Sequence, residues 1–170
     1  ASFFVSRVDT EVDRRLAAAG TGDALALQGQ AAVAQAKLAY RLFGDRFAGE
    51  RWERLAARGA HVQRPLWAST STKNPAYPDT RYLDSLIGPD TVNTLPEPTI
   101  AAFEDHGTVA RTIDEGVDDA EAVMDTLAEV GVDMDDVGRT LEEQGLASFH
   151  QSFVHLLQLL QAKAGQLAAC

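Results

Sequence analysis

Three short β-prone runs, each followed by a helical pattern, constrain this chain more than any other feature. They are residues 1–8 (ASFFVSRV), 62–69 (VQRPLWAS) and 91–95 (TVNTL). Strands alternating with helices imply parallel strands joined by crossovers. Three parallel strands leave two bare edges, and parallel sheets are rarely left uncovered. The set is incomplete by itself. It predicts an α/β fold, the last third of a (β/α)8 TIM barrel over residues 1–108, with a helical C-terminal extension over residues 109–170 packing on that barrel. The chain opens without Met, so a start inside a longer chain is expected.

The helical patterns carry their own punctuation. Thr10, with Asp13 three residues later, predicts a helix start, and Gly20 predicts its stop. Residues 24–47 read as helix through Val33, Ala36, Leu38, Tyr40 and Phe43, although Gly29 leaves a start after it open. Residues 50–58 follow as a second helix, with Trp52 and Leu55 on one face. The run 70–79 (TSTKNPAYPD) is a loop, because its two prolines forbid helix. A short helix over 80–87 closes at Gly88, and Pro96 and Pro98 introduce another over 99–106. Three more are predicted over 118–130, 134–143 and 146–164. In the last, Phe149, Phe153, Leu156, Leu157 and Leu160 form a stripe expected to be buried.

Charge and cysteine content exclude several function classes. A net charge of −10, from 25 acidic and 15 basic residues, argues against nucleic-acid binding. Much of the acidic excess lies in 115–143 and reads as a solvated helical region. No apolar run approaches the ~18 residues a membrane span needs. The single cysteine, Cys170, excludes a disulfide within the chain and fits a reducing cytoplasm. His61, His106, His150 and His155 lack metal-ligand spacing, so no metal site is expected.

In a barrel of this kind, functional side chains sit at the C-terminal strand ends and in the loops beyond them. Two such segments set a cation beside hydroxyls. Arg7 follows Ser6, and Lys73 follows Ser69, Thr70, Ser71 and Thr72. Cations with hydroxyl donors suit a phosphate, whose oxygens accept several charge-assisted hydrogen bonds. The same residues also admit a plainer reading, in which Arg7 pairs with Asp9 and Lys73 is solvated. Trp67, inside the second strand, reads as core packing.

The motifs around these residues resemble those of transaldolases. Ala1-Ser2-Phe3-Phe4-Val5-Ser6-Arg7 resembles the sixth barrel strand of that family, patterned Ser-x-Phe-Val-x-Arg. Residues 65–77 (PLWASTSTKNPAY) resemble the seventh strand and its loop in the bacterial, actinobacterial-type branch, and residues 90–96 (DTVNTLP) the eighth strand. The resemblance covers essentially the whole chain. It implies transfer of a dihydroxyacetone unit between sugar phosphates in the pentose phosphate pathway, through a lysine Schiff base and with no cofactor. A protonated Schiff base stabilises the carbanion left when the carbon–carbon bond breaks.

Carried over by position, Arg7 is expected on a substrate phosphate, Ser2 facing substrate hydroxyls and Phe4 lining the pocket. Ser69 matches a phosphate-binding serine. Lys73 stands in a stretch two residues longer than in the better-known subfamily, where an arginine is found, and lysine cannot make the bidentate fork. No catalytic residue is expected in this chain. Lys37, Lys73 and Lys163 are its three lysines, and the resemblance puts the Schiff-base lysine on a strand preceding residue 1. The implied partners are sugar-phosphate substrates and the N-terminal part of the barrel, with neither nucleic acid nor membrane. Two rival readings stay open: a non-catalytic sugar-phosphate-binding or interaction protein, and an aldolase acting through Lys73.

Overall fold

The structure is a computed structural model that describes residues 1–168, so Cys170 lies outside the described residues. Three parallel strands form one sheet in the order β1 (Ser2–Phe4), β2 (Leu66–Ala68), β3 (Val92–Asn93). Helices cross between them: α1 (Ser6–Ala19), α2 (Gly22–Ala26), α3 (Ala31–Arg46) and α4 (Gly49–Ala56) before β2, and α5 (Arg81–Asp84) before β3. Then come α6 (Glu97–His106), α7 (Val117–Glu129) and α8 (Met134–Ala168). This is the expected arrangement of the C-terminal part of a TIM barrel followed by helices.

The strands are shorter than their β-prone runs. In the first run, Val5 N–H donates to Ala68 O and Ser6 N–H to Ser69 O, both at 2.9 Å, and the chain turns at once into α1. The helix start expected at Thr10 therefore moves to Ser6. The Thr10 hydroxyl instead donates to Ser6 O one turn back, at 2.9 Å, a bond that ties up the side chain within the helix. Gly20 ends α1 in the left-handed conformation, φ +67°, where a side chain would be strained. In the second run Pro65 has no N–H to donate, so pairing starts at Leu66, whose N–H reaches Ala1 O at 2.8 Å.

The core lies between the outer face of the sheet and its helices. Phe3, Trp67 and Asn93 stand in register across the three strands, so their side chains share one face. Trp67 is buried as expected, and Phe3 meets its ring edge-on at 6.0 Å between centroids. Val8, Val12 and Leu16, four residues apart, form the buried stripe of α1. The buried face of α3 consists of Ala31, Ala32, Ala34 and Ala36, and small residues let a partner helix approach closely. Both α1 and α7 pack on α3, and the buried residues of α7 are Ala120 and Leu127.

The chain divides into two compact units, Ala1–Asp133 and the segment from Met134 onward. The second differs from expectation in two ways. The helices expected over 134–143 and 146–164 are one 35-residue helix, α8. Gly145 does not break it, since a helical glycine costs only about 1 kcal/mol against alanine and its neighbours Leu141, Glu142, Glu143, Leu146 and Ala147 favour helix. The expected buried stripe is exposed, with Phe149 68% and Phe153 59% accessible. Helical periodicity identifies an apolar face but not what covers it. None of the described helices is long and apolar enough to cross a membrane.

Candidate functional site at the strand ends

The inner face of the sheet carries Ser2 and Phe4, two apart on β1 and both exposed. On the same face stand Leu66 and Ala68, their register partners on β2, both half-buried. Arg7, in the first turn of α1, is exposed and holds its guanidinium over the Phe4 ring at 4.8 Å. Cation–π stacking of this kind orients the group without consuming its N–H donors. The plainer reading of Arg7 as a partner of Asp9 does not hold, because the Asp9 carboxylate is spent elsewhere. It accepts Ala32 N–H and the Tyr82 hydroxyl, each at 2.7 Å, and is only 2% exposed.

Ser69 follows β2 directly and occupies the left-handed region at φ +56°. For a residue other than glycine that conformation is strained, and such strain concentrates where function re-aims a side chain. The surroundings enforce it. Ser69 O is held by Ser6 N–H, and the next residue, the fully buried Thr70, donates its hydroxyl to Asn93 Oδ1 at 2.8 Å. Thr94 N–H in turn reaches Trp67 O at 3.1 Å. The three strand ends are thus tied in a row, which brings Ser69 beside the start of α1 and Arg7.

Lys73 lies further along the loop. It is exposed, and its Nζ donates to Ser71 Oγ at 2.5 Å. It lines a hollow of about 200 Å³ together with Asp9, Thr10, Asp13, Asn74, Tyr77 and Tyr82. The structure therefore groups Arg7, Phe4 and Ser69 at the strand ends, leaves Ser2 on the same sheet face but at the start of β1, and sets Lys73 against a neighbouring recess. Of the histidines, His106 joins α6 to the loop, its Nε2 2.8 Å from Asp79 Oδ1 and its Nδ1 3.1 Å from Asp105 Oδ2. Those hydrogen bonds hold its pKa above the usual histidine range, and the same contact holds Asp79 below the usual carboxylate range.

One cluster escaped the sequence reading. Asp13, expected to help start α1, instead accepts Gly29 N–H at 2.7 Å on one oxygen and the Tyr77 hydroxyl at 2.6 Å on the other. Asp9 repeats the arrangement one turn earlier with Ala32 N–H and Tyr82. Burial pushes Asp9 up against the pull of these donors. Burial, then the hydrogen bond to Asp13, pushes Tyr77 up to about 12, and Tyr82 is raised as well, first by burial. Both phenols therefore stay protonated and donate. The only signal in the sequence was the spacing of Asp9 and Asp13, which places them on one helix face.

Fold and strand ends together define a parallel α/β-barrel segment with hydroxyls and a cation on its open face. The family profile described as Transaldolase/Fructose-6-phosphate aldolase matches residues 1–160, and the chain belongs to that family. It is 55% identical over 170 residues to a transaldolase of Parafrankia sp. (strain EAN1pec), covering 99% of this chain and 46% of that protein. It is likewise 55% identical over 157 residues to a transaldolase of Acidothermus cellulolyticus, covering 92% of this chain and 42% of the relative. With a transaldolase of Mycolicibacterium smegmatis the identity is 49% over 170 residues, covering 99% and 45%. The chain thus spans less than half the length of these relatives.

Proposed function

We propose that this chain forms the substrate-phosphate end of a transaldolase that moves a dihydroxyacetone unit between sugar phosphates of the pentose phosphate pathway. In this reading β1, β2 and β3 are the last three strands of the barrel, and the Schiff-base lysine and the proton-transfer groups lie on strands preceding residue 1. Arg7 supplies the principal cation for the phosphate. Ser69 adds a hydroxyl, Ser2 faces the sugar hydroxyls, and Phe4 forms the pocket wall on which Arg7 rests. Lys73 contributes a second cation from the loop. The single cysteine accords with a cytoplasmic setting.

The observation that carries this reading is the Arg7 guanidinium stacked at 4.8 Å over Phe4 with no ion pair to Asp9. Its donors stay available beside a strained serine at the strand ends. A guanidinium with free N–H donors fits two phosphate oxygens at once. In the full-length protein, Arg7→Ala should raise KM for fructose 6-phosphate by about 10- to 100-fold, the value of a charge-assisted hydrogen-bond pair. An unchanged KM for phosphorylated sugars would remove Arg7, and with it the phosphate reading.

A further inference from the structure

The loop that carries Lys73 is anchored at two points, and one anchor is a tyrosine with no place in the chemistry proposed above. At the β2 end Thr70 is fixed to Asn93, and its hydroxyl also lies 3.3 Å from Thr94 O. At the other end residues 74–77 form a tight turn, with Ala76 N–H donating to Asn74 Oδ1 at 3.0 Å and Tyr77 N–H to Asn74 O at 3.1 Å. The Thr72 hydroxyl crosses the loop to Pro78 O at 2.9 Å. Residues 71–76 are thus a span between two posts, Thr70 and Tyr77, and Lys73 stands midway along it.

Tyr77, half-buried, is held at its hydroxyl and on its ring. Its hydroxyl donates to Asp13 Oδ2, and the Arg81 guanidinium lies over its ring at 4.7 Å while bonding Gly29 O. Gly29 sits at φ +74°, and a Cβ there would stand 2.7 Å from Tyr77 Cζ. The ring therefore packs against bare backbone, in a slot that only glycine leaves open. The Gly29 N–H closes the ring of contacts on Asp13 Oδ1. Asp13 belongs to α1, the helix whose first turn bears Arg7. One rigid element thus carries the first cation and grips the loop that carries the second.

We propose that Tyr77, acting through Asp13, is a positioning residue that sets the 71–76 loop so that Lys73 joins Arg7 on the substrate phosphate. The inference rests on the phosphate reading above and deepens it. A tyrosine that only stabilised the fold would affect melting temperature and kcat without regard to the substrate's phosphate. A positioning tyrosine acts on KM for phosphorylated sugars and on inhibition by inorganic phosphate, and it acts through Lys73.

The test is a double-mutant cycle in the full-length protein, with inorganic phosphate as the competing probe against fructose 6-phosphate. Tyr77→Phe keeps the ring in its slot and removes only the hydroxyl. It should raise both KM and the phosphate inhibition constant about five- to tenfold, as loss of one hydrogen bond allows, with kcat within about twofold. Lys73→Met should weaken phosphate by about tenfold, and adding Tyr77→Phe to it should cost nothing more. Asp13→Asn should reproduce the Tyr77→Phe effect on phosphate. A Tyr77→Phe penalty that persists in full on the Lys73→Met background overturns the positioning role, as does no penalty at all. Arg7→Ala separates the two levels. If it weakens phosphate while Tyr77→Phe is inert, the latch alone fails. If it leaves phosphate inhibition at the wild-type value, the phosphate subsite fails and the latch with it.

Discussion

The two faces of the small sheet differ sharply. On the outer face Trp67 is 1% exposed, Phe3 packs on its edge, and two tyrosine–aspartate clamps hold the loop and α5 to α1. On the inner face Phe4 is 43% exposed and Ser2 stands free beside it. A parallel strand is stable with both faces covered, so the outer face is finished and the inner face is built to meet something else. Of the residues proposed for the phosphate site, Ser2 and Phe4 lie on that open face with Arg7 and Ser69 beside it, whereas Lys73 lines the recess with the clamp residues. Sheet geometry divides the labour, since alternate residues of one strand point to opposite sides.

The contrast can be broken most forcefully at the tryptophan. Trp67→Ala should cost about 3–5 kcal/mol in urea unfolding, as for other large buried aromatics, whereas Phe4→Ala should cost less than about 1 kcal/mol. Comparable losses at the two positions would mean that the faces are not distinct. A smaller effect is expected at the clamp behind the sheet. Tyr82→Phe leaves the buried Asp9 carboxylate with one donor fewer and should cost about 1–3 kcal/mol, while leaving phosphate inhibition unchanged, unlike Tyr77→Phe.

The smallest effect belongs to His106 at the exposed edge of the loop. Its folded pKa is raised above 6.5 and that of Asp79 is lowered below 3.8. The His106 contribution is therefore complete below pH 6.5 and is lost as pH rises through the folded histidine pKa. The Asp79 contribution is lost as pH falls below 3.8. Wild type should melt slightly above His106→Gln at pH 5.5, with the gap closing by pH 8.5. A gap that widens with pH would reverse the assignment.

Much of the fold could be read from alternation and punctuation. Three β-prone runs with crossover helices gave the parallel sheet in its order, and Gly20 and Gly29 marked real breaks because both residues take positive φ. Strand and helix ends were less legible. Val5 and Ser6 still donate to Ala68 O and Ser69 O, yet the chain already turns into α1 there, a change of backbone conformation that the β-prone run does not announce. The cover of the α8 stripe was illegible for a related reason, since periodicity describes one face alone.

The strand-end residues were visible through motif resemblance, and the structure adds why Arg7 remains available: Asp9, its obvious neighbour, is taken by Ala32 and Tyr82. The clamps could not be read in advance. Asp13 meets Gly29 and Tyr77 across separations of 16 and 64 residues, and no local pattern announces such contacts. A carboxylate near a helix start looks like a cap whatever it eventually binds.

In the proposed function, this open-faced segment grips the phosphate while the nucleophile lies on the strands that complete the barrel. Borohydride reduction in the presence of fructose 6-phosphate tests it directly, with the site of any adduct read by peptide mass spectrometry. No adduct is expected on the 170-residue chain alone, and in the full-length protein the adduct should be confined to a lysine preceding residue 1. A sugar adduct on Lys73 would contradict it.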